Sequence, residues 1–137
     1  MKNPAEILRQ HNLKDTQSRR LVLSALMSFE KPVTQKEVCK WISGQDATTN
    51  LVTVYRTLEL FREHDIVHRH PSSGGFILCT IDNDDGCHSF LSCQDCGKVE
   101  EFCDVKCCST NSTITQKTGF TPTEHVSEII GVCATCL

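Results

Sequence analysis

Two pairs of cysteines carry the strongest chemical signal in this chain. Cys93-Gln-Asp-Cys96 and Cys133-Ala-Thr-Cys136 each place two sulfurs on one tight turn. Two such turns can close a tetrahedron of thiolates around a zinc ion. The 36 residues between Cys96 and Cys133 make this wider than a compact zinc ribbon, so the metal would staple distant strands to the end of the chain. Four protein ligands leave no open coordination position, and the expected site is structural rather than catalytic. A four-cysteine iron site is the chemical alternative. A thioredoxin-like pair would need a helix N-terminus after a strand in a βαβ pattern, which is absent here.

A second set, His68, Cys79, His88 and Glu101, is selected by no simple motif. Two imidazoles, a thiolate and a carboxylate form a borderline-soft ligand set that suits zinc. The residues alone leave the ordinary reading open: His68 as a surface strand residue, Cys79 as an apolar filler, Glu101 as a solvated charge.

The third constellation is nucleic-acid-like. Thr53, Tyr55, Arg56 and Thr57 put small polar, aromatic and basic groups on one predicted helix. Arginine can pair bidentately with guanine, and Tyr55 can pack on a thymine methyl. Lys14, Gln17, Arg19 and Arg20 fall just before or within another helix, where phosphate contacts are expected. An amphipathic surface helix would carry similar residues.

Composition narrows the setting. Ten cysteines in 137 residues would build a disulfide scaffold in a secreted protein, but point to metal in a reducing one. No stretch approaches the ~18 apolar residues of a membrane span, and the first residues lack the apolar core of a signal peptide. A cytoplasmic protein is expected. The net charge of −3 hides an asymmetry: residues 1–70 hold 11 basic and 8 acidic side chains, and residues 71–137 hold 3 and 9. A mildly basic half beside an acidic, cysteine-rich half suggests a division of labour.

The elements that must position these groups follow from capping and periodicity. Helices are predicted over 4–11, from Thr16 onward, from Thr34 with Glu37 completing a capping box, and from Asn50 to about His64. Val38, Trp41 and Ile42 should face the core from the third helix, and Leu51, Val54, Leu58 and Phe61 from the fourth. Residues 65–70 and 76–81 alternate as two strands around Pro71-Ser-Ser-Gly-Gly75. Helices followed by such a hairpin make a winged helix, a major-groove reader. Short strands are expected at 90–92, 98–102 and 126–132. Residues 105–118 are too rich in Cys, Ser, Thr and Asn to predict a helix.

Thr16-Gln-Ser-Arg19, Asn50-Leu-Val-Thr-Val-Tyr-Arg-Thr-Leu58, Cys93-Gln-Asp-Cys96-Gly-Lys-Val-Glu-Glu-Phe102 and Gly131-Val-Cys133-Ala-Thr-Cys136 together resemble the ferric uptake regulator (Fur) family over nearly the whole chain, and its zinc uptake regulator branch most. The resemblance implies an α+β fold: a winged helix-turn-helix over 1–75 and a small α/β dimerisation domain with the four-cysteine zinc site over 76–137. It implies a homodimeric repressor of metal-uptake genes that binds AT-rich palindromic double-stranded DNA, with no membrane or small-molecule substrate. It also implies one structural zinc per chain and one regulatory zinc on His68, Cys79, His88 and Glu101. Lys14, Gln17, Arg19, Thr53, Tyr55 and Arg56 would face the DNA. Iron and peroxide sensors of the family usually have a carboxylate where Cys79 stands, and the thiolate argues for zinc over ferrous iron.

This chain departs from the family in its single His88 before the first cysteine pair, where a His-rich run is usual. Cys87, Cys103, Cys107, Cys108 and His125 are surplus donors, suited to a substitute metal site, a thiol redox sensor, or nothing beyond spare thiols in a reducing cell. An enzyme is not expected. The His-x-Glu with Pro-Cys-x-x-Cys of zinc deaminases and the His-Glu-x-x-His of zincins are both missing.

Overall fold

The computed structural model describes residues 2–81, 88–103, 105–122 and 125–137, with the backbone alone over 105–110. Its contacts divide the chain into two compact units, 1–79 and 80–137.

The first unit is built from α1(Pro4–Gln10), α2(Gln17–Ser28), α3(Gln35–Ser43) and α4(Leu51–Glu63), then the hairpin β1(Val67–Arg69) and β2(Phe76–Leu78). Each helix starts where a side chain can accept a first-turn amide. Asn3, Thr16, Thr34 and Asn50 all do so, and Thr34 with Glu37 forms the expected reciprocal box at 3.2 and 2.9 Å. These caps satisfy amides that have no partner within the helix. The inner faces meet in one cluster that includes Leu8, Val22, Leu23, Leu26, Val38, Ile42, Val54, Leu58 and Phe61. Each such side chain contributes roughly 1.5–3 kcal/mol on burial.

Trp41 only packs against the margin of this cluster, and Leu51 is exposed. Leu51 is the first residue of α4, and the inward face begins at Val54. Thr57 lies inside instead, its hydroxyl returned to the Thr53 carbonyl at 2.8 Å.

The hairpin is short. Its paired strands run in the register Val67↔Leu78, His68↔Ile77, Arg69↔Phe76. Val33 adds a bridge to Phe76, with amide–carbonyl bonds of 3.0 and 2.7 Å. Gly75 makes this approach possible, because a Cβ there would stand 3.0 Å from the Pro32 Cβ. Pairing with β1 places β2 in the first unit, and the contact boundary falls between Cys79 and Thr80.

The second unit contains β3(His88–Cys93), β4(Val99–Cys103), α5(Val105–Thr118) and β5(Val126–Gly131). The sheet order is β4-β3-β5, with β3 antiparallel to β4 and parallel to β5. α5 stands where the sequence predicts no helix. Its hydroxyls bond back to the preceding turn, Thr115 to Ser112 at 2.9 Å and Thr118 to Ile114 at 3.1 Å, so they do not compete for free backbone groups elsewhere. Among the described residues, Phe90 and Cys93 are the buried apolar side chains of this unit. No described helix is long and apolar enough to cross a membrane.

Candidate metal centres and nucleic-acid interface

β3 ends at Cys93 and the chain turns at once. The Cys93 amide donates to Lys98 at 2.9 Å and the Gly97 amide donates back to Cys93 at 3.0 Å. Gly97 takes φ +77°, a left-handed conformation that glycine enters without a Cβ clash. The second knuckle follows β5, where the Cys136 amide donates to Cys133 at 3.0 Å. The parallel register sets Cys93 against Gly131, and the Gln94 amide reaches the Gly131 carbonyl at 2.8 Å. Two turns 36 residues apart are thereby brought side by side.

The four sulfurs lie within 4.8 Å of one another, with Cys96 and Cys133 3.8 Å apart. Ligands ~2.3 Å from a tetrahedral zinc stand roughly 3.8 Å from each other, so the cluster fits that ion. All four cysteines are free thiols. Backbone amides, first that of Cys96 and then that of Cys133, pull the Cys93 thiol from 9.0 down to about 6. The Cys133 amide donates to the Cys93 sulfur at 3.3 Å. Cys136 is pushed the other way, to about 12, chiefly by its hydrogen bonds to Cys133 and Cys96. Negative charge on one sulfur makes charge on its neighbour costly. A divalent cation removes that conflict.

The second predicted ligand set comprises two pairs, one in each unit. In the first unit, His68 is buried on β1 and a ring nitrogen lies within 4.8 Å of the half-buried Cys79 sulfur. The hairpin register explains this. His68 opposes Ile77, and the Cys79 amide donates to Ile66 at 2.8 Å, so His68 and Cys79 are diagonal neighbours on one face. In the second unit, His88 and Glu101 occupy the equivalent diagonal of the β3–β4 ladder, where Phe90 opposes Glu101. Their Nδ1 and Oε1 atoms are 2.5 Å apart. The Glu101 side chain is only 2% exposed, not a solvated charge, and its other oxygen accepts the Thr80 amide at 2.9 Å.

Among the surplus donors, Cys103 ends β4 opposite His88. His125 precedes β5, with Nε2 2.5 Å from the Asn111 side-chain nitrogen Nδ2. Cys87 and the side chains of Cys107 and Cys108 lie outside the described residues.

The predicted DNA-facing residues cluster at the starts of two helices of the first unit. Lys14 and Gln17 are exposed, and Arg19 is half-buried with its guanidinium donating to the Lys14 carbonyl at 2.8 Å. Arg20 is tied to Asp15. On α4, Tyr55 and Arg56 are exposed and Thr53 is partly so, its amide held by the Asn50 side chain at 2.9 Å. Leu51 and Val52 stand out beside them. The helical period assigns Leu51 to the core and gives Val52 no role. The available signal was the absence of any acidic residue in the first turn of α4, where carboxylates are otherwise favoured.

A sequence profile of the ferric uptake regulator family matches residues 10–130. A ferric uptake regulation protein of Legionella pneumophila is 32% identical over 130 residues, covering 94% of this chain and 95% of that protein. A peroxide operon regulator of Bacillus subtilis is 27% identical over 139 residues, covering 99% and 92%. A solved structure of a zinc uptake regulator complexed with zinc and DNA superposes with a TM-score of 0.87 at 26% identity, covering 96% of this chain and 89% of that one. Members of the family are metal-responsive, DNA-binding transcription regulators rather than enzymes. By sequence and by fold, this chain belongs to the ferric uptake regulator family.

Proposed function

We propose that the chain is a zinc-sensing repressor of metal-uptake genes, acting in the cytoplasm as a homodimer on an AT-rich palindromic operator. The observation that carries the zinc reading is the Cys79 sulfur beside the His68 ring. A thiolate in the sensing set favours zinc over ferrous iron or manganese, which prefer carboxylate and imidazole donors.

In this reading Cys93, Cys96, Cys133 and Cys136 hold a permanent zinc, one per chain, that shapes the second unit. A second zinc per chain takes His68 and Cys79 from the hairpin and His88 and Glu101 from the sheet. Thr80, whose amide is bonded to Glu101, directly follows Cys79, so the chain itself supports the joining of the two pairs. Sharing one ion would tie the reading hairpin to the dimerising sheet. The exposed Leu91 and Ile129, register partners on adjacent strands, offer an apolar face for a second copy. A two-fold dimer would then present two α4 helices at half-sites about 34–36 Å apart, or a multiple of this. Lys14, Gln17 and Arg19 would contact phosphates, and Thr53, Tyr55 and Arg56 would enter the groove.

An iron- or peroxide-responsive regulator is the second reading, favoured by the relatives of those names. One experiment separates them: selection of bound duplexes from a random pool at buffered free zinc, at ferrous iron, and with the weaker site stripped. A palindrome enriched only with zinc supports the proposal. Enrichment only with iron keeps the regulator and removes the zinc assignment. No enrichment under any metal removes the DNA-binding role.

A further inference from the structure

The first turn of α4 is apolar where a helix surface is ordinarily polar. Val52 is 58% exposed, Tyr55 44% and Leu51 39%. Val52, Tyr55 and Arg56 are spaced i, i+3, i+4 and share one face. The fold does not call for a valine here, because Val54, Thr57, Leu58 and Phe61 supply the buried face of α4. A β-branched residue also loses side-chain freedom in a helix, which makes Val52 less favourable than alanine at an exposed position.

The surroundings point to a polyanion. Arg56 lies on the same face, and the first turn carries no acid. The edges of the major groove present hydrogen-bonding atoms at every base pair and one apolar group, the C5-methyl of thymine. An exposed aliphatic side chain on a groove-entering helix is therefore best matched by that methyl, the largest apolar group on the major-groove edge.

We propose that Val52 is a specificity-determining residue that reads a thymine C5-methyl in the major groove, alongside Tyr55 and Arg56. The inference rests on the reading of α4 as the groove-entering helix. It assigns part of the operator's A·T preference to a dry aliphatic contact, separate from any hydrogen bond made by Arg56.

The test uses the zinc-loaded 137-residue chain and the palindrome recovered by selection. Each thymine in a half-site is replaced in turn by deoxyuridine, which removes only the methyl. For the unsubstituted protein, at least one replacement should weaken binding roughly fourfold, the value of one buried methyl. Val52→Ala should weaken binding to the unmodified duplex by a similar factor and erase the thymine–uracil difference at that position. Val52→Ile should keep it, and Tyr55→Ala should leave it in place while abolishing any methyl sensitivity of its own. Unchanged helicity and zinc content in the variants exclude a folding defect. The inference is overturned if the protein is indifferent to every thymine replacement, or if Val52→Ala keeps every thymine–uracil ratio. Tight, zinc-dependent binding with such indifference sinks this inference alone, whereas a protein that selects no duplex sinks the DNA-binding reading with it.

Discussion

The two units are held together by different chemistry. The first buries fifteen apolar side chains in one cluster, from Ile7 on α1 to Phe76 on β2. The second, among its described residues, buries Phe90 and Cys93. With so little apolar burial among its described residues, this unit is the one that a staple would stabilise, and the four-cysteine cluster is placed to be one. It joins the ends of β3 and β5, the strand pair that runs parallel. The lesson is that metal can replace apolar burial in one half of a chain while the other half folds by burial alone.

The sharpest way to break this comparison is to remove the staple. Cys93→Ser, or a chelator strong enough to strip the cluster, should unfold the second unit and leave the first native. Structural zinc binding in small domains is worth about 10–16 kcal/mol, more than a sheet with one buried phenylalanine can replace. Hydrogen exchange resolved along the sequence would show it: protection lost in β3 and β5 and retained in α2 and α4. Equal loss in both units would mean one cooperative core. Zinc retention should also fall as pH falls, because the thiolates must be deprotonated to bind. A metal content independent of pH between 8 and roughly 5 would count against thiolate ligation.

Leu58→Ala is the converse experiment. It should destabilise the first unit by about 2–5 kcal/mol, with no change in the zinc held by Cys93, Cys96, Cys133 and Cys136. Loss of that four-cysteine zinc in this variant would show that the two units do not fold by separate means. Arg56→Ala touches neither core nor metal. It should cost roughly 1–3 kcal/mol in operator affinity and relax one base preference if it reads a base, whereas an equal loss on every duplex would make it a phosphate contact. The smallest effect is local. Thr34→Ala removes the hydroxyl that accepts the Glu37 amide and should lower the thermal stability of the first unit by about 0.5–2 kcal/mol, with DNA and zinc affinities unchanged.

Legibility followed the same division. Asn50, Thr34 and Thr16 announce their helices because a cap is a local event, a short polar side chain three residues from an amide. Cys93 and Cys96 announce a metal because two sulfurs on one turn have few other uses. Leu51 departs from its expected inward place because helical period says which residues share a face but not where along the helix the core ends. α5 escaped prediction because its hydroxyls favour turns by propensity, and only their return to the helix's own carbonyls makes them compatible with it. The pairing of His68 with Cys79, and of His88 with Glu101, depends on strand register. Eleven or thirteen residues of separation do not by themselves specify a diagonal contact, and the resemblance to the family supplied what spacing could not. Val52 stood inside a segment already singled out, yet its exposure became visible only once the inward face of α4 was known.

The central claim is that Cys79 couples zinc to DNA. It is tested most directly by measuring operator affinity of the unsubstituted protein and of Cys79→Ser across a series of buffered free-zinc concentrations. Both proteins should keep the four-cysteine zinc. The account predicts that affinity rises with free zinc in the unsubstituted protein, by the ~1–3 kcal/mol typical of allosteric coupling, and stays flat and low in Cys79→Ser. Parallel curves for the two proteins would contradict it and take Cys79 out of the sensing site.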